Sequence, residues 1–256
     1  MLTVYDMIHE RFADRFDAND PTPAAKRKAV AAADHVVCIS HSTKRDLLDL
    51  LPVDEAKVSV IHLASSLVPP AAPVAASGAP YLLYVGDRWT YKNFMQLVDA
   101  VGASPLLRDF RIVCFGGGAI TPAEWAAIDA AGIARERVAQ QHGDDAELAR
   151  LYAGAFCLVY PSLYEGFGIP PLEAMQCDCP VVCSNTSSIP EVVGDAAQSF
   201  DPTQPGALQA ALEALVSSEA RRDELIAQGR ERRRQFSWDA CASQTLALYR
   251  RLRGHA

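Results

Sequence analysis

The chain has 256 residues, half of them hydrophobic, with a formal net charge of −7 and a sequence pI near 5.4. That length supports one large domain, or one domain plus part of another. The acidic balance argues against a global nucleic-acid role, because such proteins need positive faces to neutralise phosphates.

In chain order, strands are expected over 2–5, 35–39, 58–61, 81–85, 111–115, 138–140, 156–160 and 181–183. Helices are expected near 22–33, 42–50, 92–103, 122–131, 145–153, 169–177, 205–217, 219–234 and 237–253. The alternation implies βαβ units and a mostly parallel sheet, and the strands are continuous apolar runs, as in a sheet covered on both faces. The opening stretch, residues 1–10, has no basic lead and is interrupted by Asp6, so it does not read as a signal peptide. No uninterrupted apolar run reaches the ~20 residues of a membrane span. Residues 67–80, rich in Pro, Ala and Gly and without charge, read as a linker. A complete doubly wound domain is expected after it; before it stand too few elements for a second one.

Seven scattered cysteines (Cys38, Cys114, Cys157, Cys177, Cys179, Cys183, Cys241) form no CxxC pair and mostly sit in apolar runs, which suggests buried reduced thiols of a cytoplasmic protein. The histidines show no HxxxH or HExxH spacing, so no metal site is expected. The clusters Lys26-Arg27-Lys28 and Arg230, Arg232, Arg233, Arg234 read first as solvated helix surface, with peripheral contact to anionic lipid as the alternative.

In open α/β sheets ligands bind beyond the carboxyl ends of the strands, which directs attention to four loops. After the first strand of the large domain comes Gly86-Asp87-Arg88-Trp89-Thr90-Tyr91-Lys92-Asn93. Gly86 permits a tight turn, and Arg88 and Lys92 beside a helix start could hold an anion; a pair of solvated cations is the plainer reading of this loop alone. The next loop, Gly116-Gly117-Gly118, lacks the third glycine of a dinucleotide fingerprint, and a nicotinamide oxidoreductase is disfavoured. Thr121-Pro122-Ala123-Glu124 reads as a capping box. His142, in the third loop, could line a base pocket or simply be solvated. The fourth loop is the most informative: Pro161-Ser162-Leu163-Tyr164-Glu165-Gly166-Phe167-Gly168-Ile169-Pro170-Pro171-Leu172-Glu173. Gly166 and Gly168 free the backbone, and the prolines suit the start of a helix. Glu173, expected in that helix's first turn and stabilised by its dipole, could accept from the two hydroxyls of a ribose, and Glu165 from those of a sugar; both could instead be surface charges.

Glu165 and Glu173, eight positions apart in this setting, resemble the E-x7-E motif of the retaining glycosyltransferases of family four (group 1 glycosyltransferases). The resemblance extends through Val36–Ser40, Tyr84–Gly86, Tyr91–Asn93, Leu148–Tyr152, Pro180–Asn185, Ser188-Ile189-Pro190-Glu191 and Phe236–Trp238. Within the family, Tyr5-Asp6-Met7-Ile8 and Arg88 with Tyr91-Lys92-Asn93 look most like bacterial mannosyltransferase B-type enzymes of O-antigen and polysaccharide synthesis.

The resemblance implies a GT-B fold, with two Rossmann-like domains facing across a cleft. It also implies transfer of a hexose, mannose from GDP-mannose or another nucleotide-diphosphate sugar, to a glycan or lipid-linked saccharide, with retention and without cofactor or metal. Arg88, Lys92 and Glu165 would be the catalytic set. Gly86, His142, Gly166, Phe167, Gly168, Ile169 and Glu173 would bind the donor. Arg88 lies one step beyond the usual arginine position, where this chain has Asp87, and Asp178-Cys179-Pro180 replaces Gly-Thr-Pro.

The resemblance further implies that residues 1–66 are a remnant of the amino-terminal, acceptor-side domain, that 81–235 form the donor domain, and that 236–256 form a crossover helix. With that lobe reduced, the last helix is expected to expose an apolar face and favour self-association. The alternative function is a donor-binding fragment without turnover, because a GT-B site works by closing two lobes on its substrates.

Overall fold

The computed structural model describes residues 1–72, 74, 78–88 and 90–254; Trp89 and four of the expected linker residues lie outside the described set. The first unit runs β1 (Leu2–Val4), α1 (Ile8–Arg11), α2 (Thr22–Ala32), β2 (Val36–Cys38), α3 (His41–Leu50) and β3 (Val58–Val60). Its three parallel strands lie in the order β1-β2-β3.

The second unit runs β4 (Tyr81–Val85), α4 (Phe94–Ala103), β5 (Arg111–Phe115), α5 (Pro122–Ala130), β6 (Val138–Gln141), α6 (Asp145–Gly154), β7 (Cys157–Tyr160), α7 (Ile169–Gln176), β8 (Val181–Ser184), α8 (Ile189–Val193), β9 (Gln198–Phe200), α9 (Ala207–Val216), α10 (Glu219–Arg232) and α11 (Trp238–Arg253). Its six parallel strands lie in the order β6-β5-β4-β7-β8-β9. The order runs outward from β4 through β5 to β6, then restarts on the other side with β7. The topological switch point therefore lies between β4 and β7.

The apolar strand runs are explained by two cores, one on each face of the large sheet. Leu83, Val113, Leu158, Val181 and Cys183 face α6, α7 and α8 through Leu148, Tyr152, Leu172, Met175 and Val192. Their neighbours Leu82, Tyr84, Ile112, Val159 and Val182 face α4, α9 and α10 through Phe94, Leu97, Leu212, Leu215 and Leu225. The central strands β4, β5, β7 and β8 bury both of their faces, so period-two alternation disappears from their sequence.

Three elements were not expected: β9, α1 and α8. β9 is a three-residue edge strand of which only Phe200 is buried, so it carries no apolar run. α1 and α8 have four and five residues, too short to show a helical period. The helix expected from 92 begins at Phe94, because Asn93 takes a left-handed backbone (φ 58°) that breaks it from the preceding turn.

α11 returns to the small sheet, where Leu248 packs with Val37 and Ile61. Its outer face exposes Trp238, Leu246 and Tyr249. All seven cysteines are free, and only Cys241 is less than buried. Burial pushes the thiols of Cys38, Cys114, Cys177 and Cys183 up to about 12, so they stay protonated and inert at neutral pH. Among the described residues no helix is long and apolar enough to cross a membrane.

Four of the seven basic residues in these clusters are engaged within the fold, while Arg27 and Lys28 are exposed. Lys26 bonds Glu10 at 2.9 Å, Arg230 bonds Asp178 at 2.8 Å, and Arg234 bonds Glu231 at 2.7 Å. Arg232 donates to the carbonyls of Glu191 and Val192.

Candidate active site at the switch point

The loops after β4 and β7 are bound to each other across the switch point. Leu163 N–H donates to the Tyr91 carbonyl at 2.7 Å, and the Asn93 amide donates to the Pro161 carbonyl at 3.1 Å. The Tyr84 hydroxyl, rising from β4, donates to the carbonyls of Asp87 and Lys92 at 2.8 and 3.2 Å. These bonds bring Lys92 Nζ to 2.7 Å from Glu165 Oε1, with the side chains 20% and 12% exposed. The ammonium also lies 5.4 Å from the Tyr91 ring and 5.9 Å from the Tyr160 ring, where their π faces favour a cation. A partly desolvated cation and carboxylate thus share one position at the mouth of the sheet.

The Glu165 loop is held by residues the sequence reading gave no role. Ser187 Oγ accepts from Glu165 N–H at 2.9 Å, and Ser188 Oγ donates to the carbonyls of Glu165 and Phe167 at 2.8 and 2.7 Å. Tyr164 donates to Asp46 of α3 at 2.7 Å and accepts from Met7 N–H at 3.2 Å. Thr43 Oγ1 lies 3.2 Å from the Gly166 carbonyl. Ser188, Tyr164 and Met7 fall in stretches that mark the family without indicating a contact, and Thr43, Asp46 and Ser187 carried no signal.

Gly166 is a site of close approach. A Cβ there would stand 2.0 Å from the Tyr5 carbonyl, so the amino-terminal segment passes directly over the loop. Gly168 precedes α7 at φ 122°, a conformation that favours glycine. Among the described residues, the N–H groups of Gly166, Phe167 and Gly168 have no acceptor, and they lie at the amino-terminal end of α7. Such a nest suits an anionic or polyhydroxyl ligand. The Phe167 side chain is buried and packs edge-on to Phe236 at 5.8 Å, so only its backbone could meet a donor. Ile169, half-buried, opens α7.

Glu173 departs from expectation in one respect. It is the fifth residue of α7, a full turn in, so the helix terminus does not stabilise its charge. Burial instead raises its carboxyl pKa, opposed by the Tyr152 hydroxyl, which donates to Oε2 at 3.0 Å. It is a half-buried carboxylate with acceptor capacity to spare.

Arg88 does not join Lys92 and Glu165. Its guanidinium, only 4% exposed, turns towards β5 and β6. It donates to Glu124 at 2.8 Å, Gln140 at 2.7 Å, and the carbonyls of Gly118 and Ala119 at 2.6 and 3.0 Å. Glu124 is at the same time the carboxylate of the expected capping box with Thr121. Burial alone would raise the Glu124 pKa, but the Thr121 N–H and Arg88 hold it below its usual value. Arg88 thus sits in a part-buried network that ties the glycine-rich loop to α5 and β6. His142 is exposed on its loop. Gly86, at φ 116°, turns the chain off β4 and donates to the Phe115 carbonyl at 2.9 Å.

A cavity of about 880 Å³ opens beside this centre, lined by His9, Phe16, Asp17, Asp20, Asp87 and Tyr91. The Glycosyl transferases group 1 family matches residues 70–232, which contain both strand-end loops, Lys92, Glu165 and Glu173. The chain belongs to this family.

The O-antigen chain mannosyltransferase B of Escherichia coli is 38% identical over 177 residues, covering 67% of this chain and 46% of that protein. The alpha-maltose-1-phosphate synthase of Mycobacterium tuberculosis is 31% identical over 255 residues, covering 89% and 65%. Among solved structures, the sucrose-phosphate synthase of Thermosynechococcus elongatus superposes with a TM-score of 0.85 at 25% identity, covering all of this chain and 68% of that one. The fold is therefore of the GT-B type, and the chain spans about half to two thirds of the curated relatives it matches.

Proposed function

We propose that this group 1 glycosyltransferase transfers a hexose, mannose in the first instance, from a nucleotide-diphosphate sugar to a glycan or lipid-linked acceptor with retention. The reading is carried by the 2.7 Å meeting of Lys92 and Glu165 at the switch point, from two loops that the β4–β7 junction brings together. In this reading the donor diphosphate takes Lys92 as its counter-ion, releasing Glu165 to accept from the hydroxyls of the transferred sugar. Negative charge grows on the diphosphate as the bond to the sugar breaks, so a pre-placed ammonium and the free N–H groups of Gly166–Gly168 stabilise the transition state more than the ground state. Glu173 accepts from the ribose hydroxyls, and the neighbouring cavity, with its aromatic and carboxylate lining, offers room for an acceptor saccharide.

The choice of mannose is supported by the Escherichia coli relative, whereas the maltose-phosphate synthase shows how varied the sugars of such relatives are. Purified chain should be stabilised thermally by GDP-mannose more than by UDP-glucose, and should transfer mannose to a mannosylated acceptor. Lys92→Ala should lower kcat by about 100-fold or more, as for other pre-placed oxyanion partners. Protection with no turnover would support the donor-binding alternative. Absence of protection by any nucleotide sugar would sink the proposal.

A further inference from the structure

Beside the Glu165 loop, three side chains converge that the proposed reaction does not use. Glu191 lies on α8, three residues after Ser188. Its Oε1 accepts from His41 N–H at 2.8 Å, and its Oε2 from Ser42 N–H at 3.2 Å, at the start of α3. His62 follows β3 and places Nε2 2.7 Å from Glu191 Oε1. The His41 ring stands edge-on to His62 at 5.8 Å between centroids, and one ligand atom from each of the three residues lies within 4.8 Å of the others. The His62 ring is oriented by Phe167 and Phe236, at 5.9 and 5.6 Å.

We propose that His41, His62 and Glu191 form a Zn²⁺ site that fastens the amino-terminal unit to the donor domain. Two imidazoles and one carboxylate are an N₂O set that suits this ion, and the exposed side of His41 leaves a fourth position for water. Tetrahedral ligands at about 2.0–2.1 Å stand roughly 3.4 Å apart. The His62–Glu191 pair must therefore open slightly to admit the ion, and His41 must close by a rotamer change that its exposed ring permits. The two backbone N–H bonds leave lone pairs on the Glu191 carboxylate and fix its orientation, the role outer hydrogen bonds play at metal ligands. Because α8 follows directly on the serines that hold Glu165, an ion bound here stiffens the wall of the donor site.

The site is independent of which sugar the enzyme uses, and its test needs no activity. Chelator-treated full-length chain is titrated with zinc chloride by calorimetry at pH 7.5, with thermal unfolding followed in parallel. The expected result is one equivalent bound with a rise in Tm. His41→Ala should weaken binding at least tenfold; its exposed side chain makes no hydrogen bond among the described residues, so that variant should fold normally. His62→Ala should do the same, while Cys241→Ser should leave binding unchanged. Equal zinc affinity in wild type and His41→Ala, or no saturable single equivalent in the wild type, would overturn the proposal and leave the cluster as a hydrogen-bonded tie alone.

Discussion

Replacing Glu173 with glutamine should separate folding from donor binding. Burial raises the Glu173 carboxyl above its ordinary 4.5, so the folded chain holds that proton more tightly than the unfolded chain does. A raised acid pKa means that stability is lost as pH climbs from 4.5 through the folded value. Glutamine never ionises, and its carbonyl can still accept from Tyr152. At pH 7.5 Glu173→Gln should therefore unfold at the same temperature as wild type or higher. The difference should shrink as pH falls below 4.5, where both side chains are neutral.

Donor binding should move the other way. A hydrogen bond to a charged group contributes about 2 kcal/mol, so exchanging carboxylate for amide should weaken the nucleotide sugar about 30-fold. Thermal unfolding across pH, together with calorimetric titration of GDP-mannose or its nucleotide, reads both effects on one preparation. A variant that is less stable at pH 7.5 yet binds nucleotide as tightly as wild type would refute the reasoning.

Three further outcomes follow from the same contacts. Arg88→Met should leave the half-buried Glu124 without its partner and lower stability by about 1–2 kcal/mol in urea denaturation, while the folded protein keeps most of its nucleotide affinity. A direct phosphate ligand would show the reverse pattern. Gly166→Ala should lower stability by about 2–3 kcal/mol, because the new methyl meets the Tyr5 carbonyl and must push the amino-terminal segment away; an unchanged Tm would refute that contact. Burial opposes ionisation of Glu191, but His62 and the two α3 N–H groups hold its pKa below 4.5. Its contribution is thus present above 4.5 and lost as pH falls through the lower folded value, so Glu191→Gln should flatten the acid limb of the stability profile.

Much of the second unit was legible because its signals are local. Continuous apolar strands between amphipathic helices, a proline in the first turn of α7 and the Thr121–Glu124 capping box each depend on neighbours a few residues away. β9 was not legible, since a short edge strand buries one residue and needs no apolar run. The site divided along the same line. The spacing of Glu165 and Glu173 and the loop position of Lys92 could be read from the chain, but the partner of Arg88 could not. Arg88 and Lys92 are four residues apart, and the turn between them sends one guanidinium into the β5–β6 loops and one ammonium to Glu165.

The sequence by itself determined the fold family, the strand-end loops and the carboxylate pair, because backbone conformation and helix starts follow from short-range chemistry. Only the tertiary structure decided which charges meet. Lys92 and Glu165, and His41, His62 and Glu191, are joined across 73 to 150 positions by strand order and helix packing, which no spacing rule records. The same packing turned the Arg88 guanidinium towards Glu124 and Gln140 and set Glu173 in a half-buried position where burial opposes its charge.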